Sequence, residues 1–269
     1  MPVNSNIQKI ERLTRLMLMI LAGLLVVLLA LTVTFFATKP SNRPVKNPES
    51  TTDDPSSSPT TDPVILTETS DAGMDYQNSI IFVGDSLTAH IRSRGVLTGG
   101  TATKQVWCPE NNMMNLNSEV TAAKIVYPET GEKMTVAEAA GKAKPAVMVI
   151  TLGTDWGVSY LPESEFKECY SNLIRDIQKA SPDTKIILQS IFPVAQACKT
   201  LDNAKIDTAN KWVKAIASEN GCRYLDTQSI LKDDKNFLKE EYAESDGIHL
   251  HKNAYVAILE YIRTHALTD

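Results

Sequence analysis

Clusters of basic residues are missing from this sequence of 269 residues. Its 27 Lys and Arg are outnumbered by 32 Asp and Glu, and no run of Lys and Arg occurs anywhere along the chain. A surface that binds nucleic acid needs clustered positive charge to neutralise phosphates. The charge pattern therefore argues against nucleic acid as a partner.

A metal-ligand pattern is also lacking. The four cysteines show no C-x-x-C spacing, and the four histidines are scattered. Closely spaced Cys and His residues are typical of zinc sites, so the sequence predicts no metal site. Three disulfide pairings are open for these cysteines. Cys108 and Cys198 each follow a predicted strand and form one hypothetical pair, whereas Cys169 lies on an apolar helical stripe.

An uncharged segment of 22 residues runs from Leu16 to Ala37. At about 1.5 Å per helical residue it spans roughly 33 Å, enough to cross a hydrocarbon core of about 30 Å. A buried core helix would carry a polar stripe, and a cleaved signal peptide would end in small residues, whereas this segment ends in Phe-Phe-Ala. The sequence predicts an uncleaved transmembrane anchor over residues 16–37.

The residues around the anchor bear on its orientation. Three basic residues precede it and three follow it closely, so the positive-inside comparison is nearly balanced. Residues 38–74 contain six of the 13 prolines among Ser, Thr, Asp and Asn, which is typical of a disordered linker outside a membrane. We therefore expect a single-pass protein of the cell membrane, N-in/C-out, with residues 1–15 in the cytoplasm and an extracytoplasmic domain over 75–269.

Residues 75–269 alternate between short apolar runs and amphipathic stretches. Five runs predict strands, and they begin near Ser79, Lys104, Ala146, Lys185 and Arg223. Three amphipathic stretches predict the longer helices, which cover Glu163–Ala180, Asp202–Asn220 and His251–His265. This alternation indicates an α/β fold whose parallel sheet is covered on both faces. Ligands of such sheets bind beyond the carboxyl ends of the strands, where site residues are therefore expected.

Two short motifs lie at such positions. Gly84-Asp85-Ser86 follows the first strand, and Asp246-Gly247-Ile248-His249 precedes the last helix. A serine nucleophile needs a base to take its proton and a carboxylate to orient that base. The first motif is also typical of a turn that caps a helix. Because both motifs fall at the edge expected for a site, they predict catalysis by Ser86, His249 and Asp246.

The segments IFVGDSLT and SDGIHL resemble the first and last blocks of the SGNH/GDSL hydrolase family, and VITLGTDWG stands where the family has Gly-x-Asn-Asp. The resemblance spans roughly residues 80–265 and extends to envelope-anchored members from Gram-positive bacteria. It implies a flavodoxin-like three-layer α/β/α sandwich with five parallel strands. It also implies acyl hydrolysis or transfer without a cofactor, with Ser86 as nucleophile, His249 as base and Asp246 as its orienting acid.

The resemblance further implies an oxyanion hole with three hydrogen-bond donors. The first donor is the Ser86 N–H. The second is a Gly N–H in the family, and here the N–H of Glu110 or Asn111 would take its place. The third is an Asn side chain in the family, and Asp155 stands at that position here. An ionised carboxylate only accepts hydrogen bonds. Three alternatives are open: Asp155 is protonated and donates, Asn111 or Asn112 replaces the missing amide, or the domain is a weakened relative that binds carbohydrate.

Three residues near strand ends are predicted to line the substrate site. Trp107 and Trp156 are placed to stack on a substrate ring, with core or rim packing as an equal alternative, and Asn111 lies between them in sequence. His90, one helical turn after Ser86, either lines the cleft or occupies an exposed helix face, which we favour.

These observations predict an extracytoplasmic serine esterase. Its expected partners are an acylated small molecule or an envelope glycan, such as an O-acetylated one, and the membrane itself through residues 16–37. An inactive domain that binds envelope carbohydrate, or an O-acyltransferase, is the alternative. Neither the acyl group nor its carrier is specified by the residues.

Overall fold

A computed structural model of the protein describes residues 62–267. At its centre five parallel strands form a sheet in the order β2-β1-β5-β6-β7. These strands are β1 (Ile80–Gly84), β2 (Val106–Trp107), β5 (Val147–Thr151), β6 (Lys185–Gln189) and β7 (Arg223–Leu225). The predicted strands and the parallel sheet are confirmed. The chain leaves β1 for β2 on one side and later returns to β5 on the other, so the strand order reverses at β1.

Helices cover both faces of the sheet and produce three layers. One face is covered by α2 (Ser86–Ser93) and α8 (Lys252–Thr264). The other face is covered by α3 (Val136–Ala143), α5 (Glu163–Ala180) and α6 (Asn203–Glu219). Successive residues of a strand point to opposite faces of a sheet. In β1, Phe82 packs in the core under α2 and α8, whereas Val83 packs in the core under α5. Three short helices complete the set: α1 (Gly73–Asn78), α4 (Gly157–Tyr160) and α7 (Gln228–Leu231).

The long helices agree closely with their sequence patterns. Helix α5 begins and ends at the predicted residues, and its buried stripe includes Phe166 and Ile177. Helix α6 is capped by Asp202, whose side chain accepts the Ala204 N–H at 2.9 Å. It ends before Gly221, whose φ of +66° favours glycine. Local signals were therefore sufficient for these boundaries.

Between β2 and α3 the chain forms an antiparallel hairpin. Strand β3 (Lys124–Val126) pairs antiparallel with β4 (Lys133–Thr135). The buried Tyr127 that follows β3 meets the ring of Trp107 edge-on, with 5.7 Å between the ring centroids. The hairpin thus extends the core beside β2.

The folded part begins earlier than the sequence predicted. The predicted linker includes residues 62–74, yet Val64 and Leu66 are buried in the core. Ile65 forms a parallel bridge with Tyr224, and the Leu66 N–H donates to the Tyr224 carbonyl oxygen at 2.8 Å. The predicted boundary at residue 75 is therefore wrong, because this segment pairs with the edge strand β7.

The remaining predictions about the N-terminal region concern residues 1–61, which lie outside the described residues. These are the cytoplasmic segment 1–15, the transmembrane anchor 16–37 and most of the linker. Within residues 62–267, no helix has both the length and the apolar character needed to cross a membrane.

The hypothetical disulfide is not formed. All four cysteines are free thiols, and Cys108 is buried whereas Cys198 is partly exposed. Cys169 is buried on the apolar stripe of α5, as predicted.

Candidate active site

Ser86 lies at the carboxyl end of β1, where the strand order reverses. It is the first residue of α2, and the preceding Asp85 caps this helix by accepting the Leu87 N–H at 3.1 Å. A Cβ atom on Gly84 would overlap the Thr151 carbonyl oxygen and the side chain of Thr88, so only glycine fits there. The turn therefore holds Ser86 beside the end of β5.

Asp246 and His249 occupy one loop before α8. The Asp246 Oδ1 atom accepts the backbone N–H groups of Ile248 and His249, each at 2.9 Å. Gly247 between them has a φ of +73°, and its carbonyl oxygen accepts the Ala195 N–H at 2.8 Å. The loop is thereby fixed both by its own side chain and by the neighbouring segment.

The structure brings the three predicted catalytic residues into one hydrogen-bonded chain. His249 Nε2 lies 3.0 Å from Ser86 Oγ, and His249 Nδ1 lies 2.6 Å from Asp246 Oδ2. Partial burial raises the pKa of Asp246, but hydrogen bonds from the ring and backbone of His249 and from Ile248 outweigh it and lower the pKa to about 2. Asp246 is therefore ionised at neutral pH and can hold the imidazole in the orientation that a base needs.

His90 packs directly against the candidate base, rather than on the exposed face that we favoured. The rings of His90 and His249 are 4.7 Å apart between centroids and tilted by 37°. Burial, together with the nearby His249 and Arg94, lowers the pKa of His90. A neutral ring therefore lies beside His249 at neutral pH. The spacing of four residues from Ser86 in a helix was the signal for this contact.

Two acidic side chains flank Ser86. Asp155 follows β5 and lines the cleft of Ser86, whereas Asp85 is almost fully buried. Burial and the charge of Asp155 raise the pKa of Asp85 to about 8, and burial also raises the pKa of Asp155. The sequence placed Asp155 at the site correctly, and its environment favours the protonated form.

The cleft around Ser86 is small and has a volume of about 180 Å³. Besides Ser86, Asp155 and His249 it is lined by Thr154, Ser159, Tyr160, Thr200, Leu201 and Ile248. A larger hollow of about 740 Å³ is lined in part by Glu244 and Ser245 and by none of the three candidate catalytic residues. Sequence reasoning missed Tyr160, Thr200 and Leu201, since they reach the cleft from short segments after β5 and β6.

Several residues predicted to line the site lie elsewhere. Trp107 is 2% exposed and packs in the core, so the alternative of core packing is confirmed and its stacking on a substrate is wrong. Glu110 and Asn111 are exposed and do not line the cleft of Ser86. They lie in a turn after β2, in which the Asn112 N–H donates to the Pro109 carbonyl oxygen at 2.9 Å.

Trp156 lies beside the cleft. It is 40% exposed and stacks on Tyr160, a cleft residue, with 4.5 Å between the ring centroids. An exposed pair of aromatic rings next to the candidate catalytic residues can contact a bound molecule.

No metal site emerges from the part of the chain that the structure describes. Among residues 62–267, no group of three or more His, Cys, Asp or Glu side chains is arranged to hold a metal ion.

Solved structures with a similar fold include a GDSL-like lipase from Bacteroides thetaiotaomicron VPI-5482, which is 17% identical, with 70% of this chain and 87% of that chain covered and a TM-score of 0.47. A lipase/acylhydrolase from Enterococcus faecalis is 16% identical, with 68% of this chain and 93% of that chain covered and a TM-score of 0.43. A peptidoglycan O-acetylesterase is 14% identical, with 47% of this chain and 38% of that chain covered and a TM-score of 0.41.

A search of curated proteins gives no significant match. The model of the GDSL-like lipase/acylhydrolase family matches residues 82–257. The matched region begins in β1, ends in α8 and includes Ser86, Asp246 and His249.

Proposed function

The chain belongs to the GDSL-like lipase/acylhydrolase family, and we propose that it is a serine esterase acting through Ser86, His249 and Asp246. One observation carries this proposal: the continuous hydrogen-bonded chain from Ser86 Oγ through both ring nitrogens of His249 to Asp246. Such a chain supplies a nucleophile, a base and an orienting acid without a further group.

The chemistry follows from these three side chains. Ser86 Oγ attacks the ester carbonyl carbon while its proton passes to His249 Nε2, and the ionised Asp246 stabilises the imidazolium that forms. The tetrahedral intermediate then collapses, His249 protonates the departing alcohol, and the acyl group remains on Ser86. Water, activated by His249 in the same way, releases the acid and restores the serine.

The acyl group is proposed to be short. The cleft of about 180 Å³ is smaller than the roughly 300–1,000 Å³ of pockets that enclose drug-sized ligands. Most of the residues that line it are polar, among them Thr154, Ser159 and Thr200. These features support an acetyl group or one of similar size over a long fatty acyl chain.

The carrier is proposed to be a polar, ring-containing molecule of the cell envelope, such as an O-acetylated glycan. The exposed Trp156–Tyr160 pair beside the cleft supports this, because sugar rings pack on aromatic faces. The anchor predicted over residues 16–37 and the linker after it support an extracytoplasmic position at the cell membrane. Replacing Trp156 with Ala is expected to raise KM for an acetylated glycan and to leave hydrolysis of p-nitrophenyl acetate nearly unchanged.

A second function is favoured by one observation, the carboxyl group of Asp155 beside Ser86. An ionised Asp155 would oppose the oxyanion, and loss of even one oxyanion donor costs about 10²–10³ in turnover. In that case the domain would bind acylated glycan without hydrolysing it. The two functions differ in turnover, which a direct assay measures.

The test uses the purified full-length protein and a fluorophosphonate probe. We expect a covalent adduct on Ser86 and hydrolysis of p-nitrophenyl acetate that exceeds hydrolysis of the octanoate ester. Ser86→Ala should abolish labelling and reduce turnover by several orders of magnitude. Ser159→Ala, which alters another hydroxyl of the same cleft, is the matched control and should still be labelled. Equal ester turnover by the wild type and Ser86→Ala would rule out the proposed esterase.

A further inference from the structure

Two acidic side chains lie beside Ser86 with unsatisfied oxygens. Asp85 is 1% exposed, and its Oδ1 accepts the Leu87 N–H at 3.1 Å. The Oδ2 atoms of Asp85 and Asp155 are buried and have no hydrogen-bond partner among residues 62–267. A buried carboxylate oxygen without a donor is unfavourable, whereas a protonated carboxyl supplies a donor of its own.

The neighbouring hydroxyl and thiol groups do not supply the missing donor. The Tyr255 hydroxyl of α8 donates to the Leu87 carbonyl oxygen at 2.8 Å, and the Tyr170 hydroxyl of α5 donates to the Ile150 carbonyl oxygen at 3.3 Å. The Cys108 thiol, which follows β2, is directed at the backbone carbonyl oxygen of the residue before Ser86. Burial raises the pKa of this thiol to about 12, so it is uncharged at neutral pH.

Positive charge does not compensate the pair either. Within the described part of the chain, no ion pair involves Asp85 or Asp155. The charge of His249 lowers the pKa of Asp155, but burial raises it by more. Arg92 of α2 acts on the Cys108 thiol. Two carboxylates in this position would both be poorly solvated and would repel each other.

Such a pair retains one proton after the other is lost. Burial and the nearby Asp155 raise the pKa of Asp85 well above the ordinary range of a carboxyl group, although backbone N–H groups, including that of Asp155, lower it by a smaller amount. Interacting carboxyls titrate as a unit, and the second proton leaves at a higher pH than the first. At neutral pH the two groups therefore share a proton.

We propose that this shared proton makes Asp155 a hydrogen-bond donor to the oxyanion, and that Asp85 is the positioning residue that keeps Asp155 protonated. The proposal rests on the esterase function proposed above. It assigns to Asp155 a donor role that an ionised carboxylate could not perform.

The proton balance of the step is simple. When Ser86 Oγ bonds to the acyl carbon, its proton passes to His249 and the carbonyl π electrons move onto the oxygen. That oxygen accepts hydrogen bonds from the Asp155 O–H and from the Ser86 N–H, which has no acceptor within its helix because it is the first helical residue. Neither donor loses its proton, and His249 returns the transferred one to the departing alcohol.

The proposal predicts that kcat/KM falls at both low and high pH. Activity falls at low pH because His249 must be neutral to act as a base. It falls at high pH, about tenfold per pH unit, because the shared proton is lost and a carboxylate faces the oxyanion. Asp155→Asn keeps an N–H donor at every pH and should lose the alkaline fall. Asp85→Asn removes the like charge, so the alkaline fall should move to lower pH.

The experiment measures kcat/KM for p-nitrophenyl acetate with the full-length protein from about pH 4 to about pH 10. The Ser86→Ala variant serves as the blank at each pH. Asp226→Asn is the matched control, because Asp226 is also partly buried, has an unpartnered oxygen among the described residues and has a raised pKa, yet lies outside the cleft. It should leave the alkaline fall where the wild type has it.

A second measurement does not depend on turnover. In Ser86→Ala, the carbon-13 signals of the Asp carboxyls should show a protonated group at neutral pH that titrates at alkaline pH, and this titration should move to lower pH when Asp155→Asn is added. The proposal is overturned if no such carboxyl is seen, or if Asp155→Asn keeps the wild-type alkaline fall. Turnover that survives Ser86→Ala would instead refute the esterase function, while the carboxyl titration would still decide the shared proton.

Discussion

His90 offers a direct way to perturb the candidate base without touching it chemically. Its ring lies against that of His249, so a charge introduced at residue 90 acts on the imidazolium that forms during catalysis. The change we consider is His90→Lys, which puts a permanent positive charge where a neutral ring now lies. His90→Phe keeps a ring of similar shape without any charge and serves as its control.

The size of the effect follows from the distance between the rings. Two unit charges 4.7 Å apart repel by about 3.5 kcal/mol at an effective dielectric constant of about 20, and by about 0.9 kcal/mol in bulk water. Since about 1.36 kcal/mol corresponds to one pH unit, the acid side of the activity profile should move to lower pH by about 0.7 to 2.6 units. The same energy opposes the imidazolium in the transition state and lowers kcat/KM about 5-fold to 400-fold.

The assay is the pH profile of p-nitrophenyl acetate hydrolysis at low and at moderate salt. His90→Phe should keep the wild-type acid side, and Ser93→Lys, which adds the same charge at an exposed position of α2, should do so as well. The shift in His90→Lys should persist in salt, because partly buried charges are screened less than exposed ones. An acid side at the wild-type pH in His90→Lys would refute the argument that residue 90 acts electrostatically on His249.

Three further predictions concern residues that build the site. Gly84→Ala should destabilise the fold by about 1–3 kcal/mol, measured by urea unfolding, because the new Cβ overlaps the Thr151 carbonyl oxygen; unchanged stability would contradict the close approach. Asp246→Asn should lower kcat by about 10³–10⁴ with little change in KM, because His249 loses its ionised partner, and a loss below tenfold would be inconsistent with that role. Asp85→Asn should leave the Tm unchanged near pH 4 and raise it at pH 9, because the raised pKa of Asp85 makes the wild type lose stability as pH rises through about 8. A Tm difference that is the same at both pH values would argue against a buried, titrating Asp85.

Much of the architecture was readable from local pattern. The apolar stripe of Glu163–Ala180 predicted a helix that the structure reproduces residue for residue, and the five strands appear where continuous apolar runs stood. The Asp246–His249 pair was also accessible, since both residues lie in one short loop. Its contact with Ser86 followed from a general property of parallel sheets, whose strand ends meet at one edge.

The failures share a physical cause, which is dependence on partners distant in sequence. Val64 and Leu66 stand in a polar, proline-containing stretch and become ordered only because Tyr224 offers backbone hydrogen bonds at the sheet edge. Trp107 belongs to a strand of only two residues, and the pleat of this strand and its neighbours direct the side chain into the core. No local sequence pattern encodes that direction. Asp155 lines the cleft as the sequence predicted, but its pKa depends on burial, which only the folded chain determines.

The distance in sequence between Ser86 and His249 has a consequence for when the protein becomes active. During synthesis the nucleophile emerges from the ribosome long before its base, and α8, whose Tyr255 hydroxyl donates to the Leu87 carbonyl oxygen, emerges later still. Every chain that stops before His249 therefore carries the serine without the group that activates it. The proposed esterase activity therefore requires a chain that extends at least through the loop of Asp246 and His249, and a product that stops earlier lacks the base.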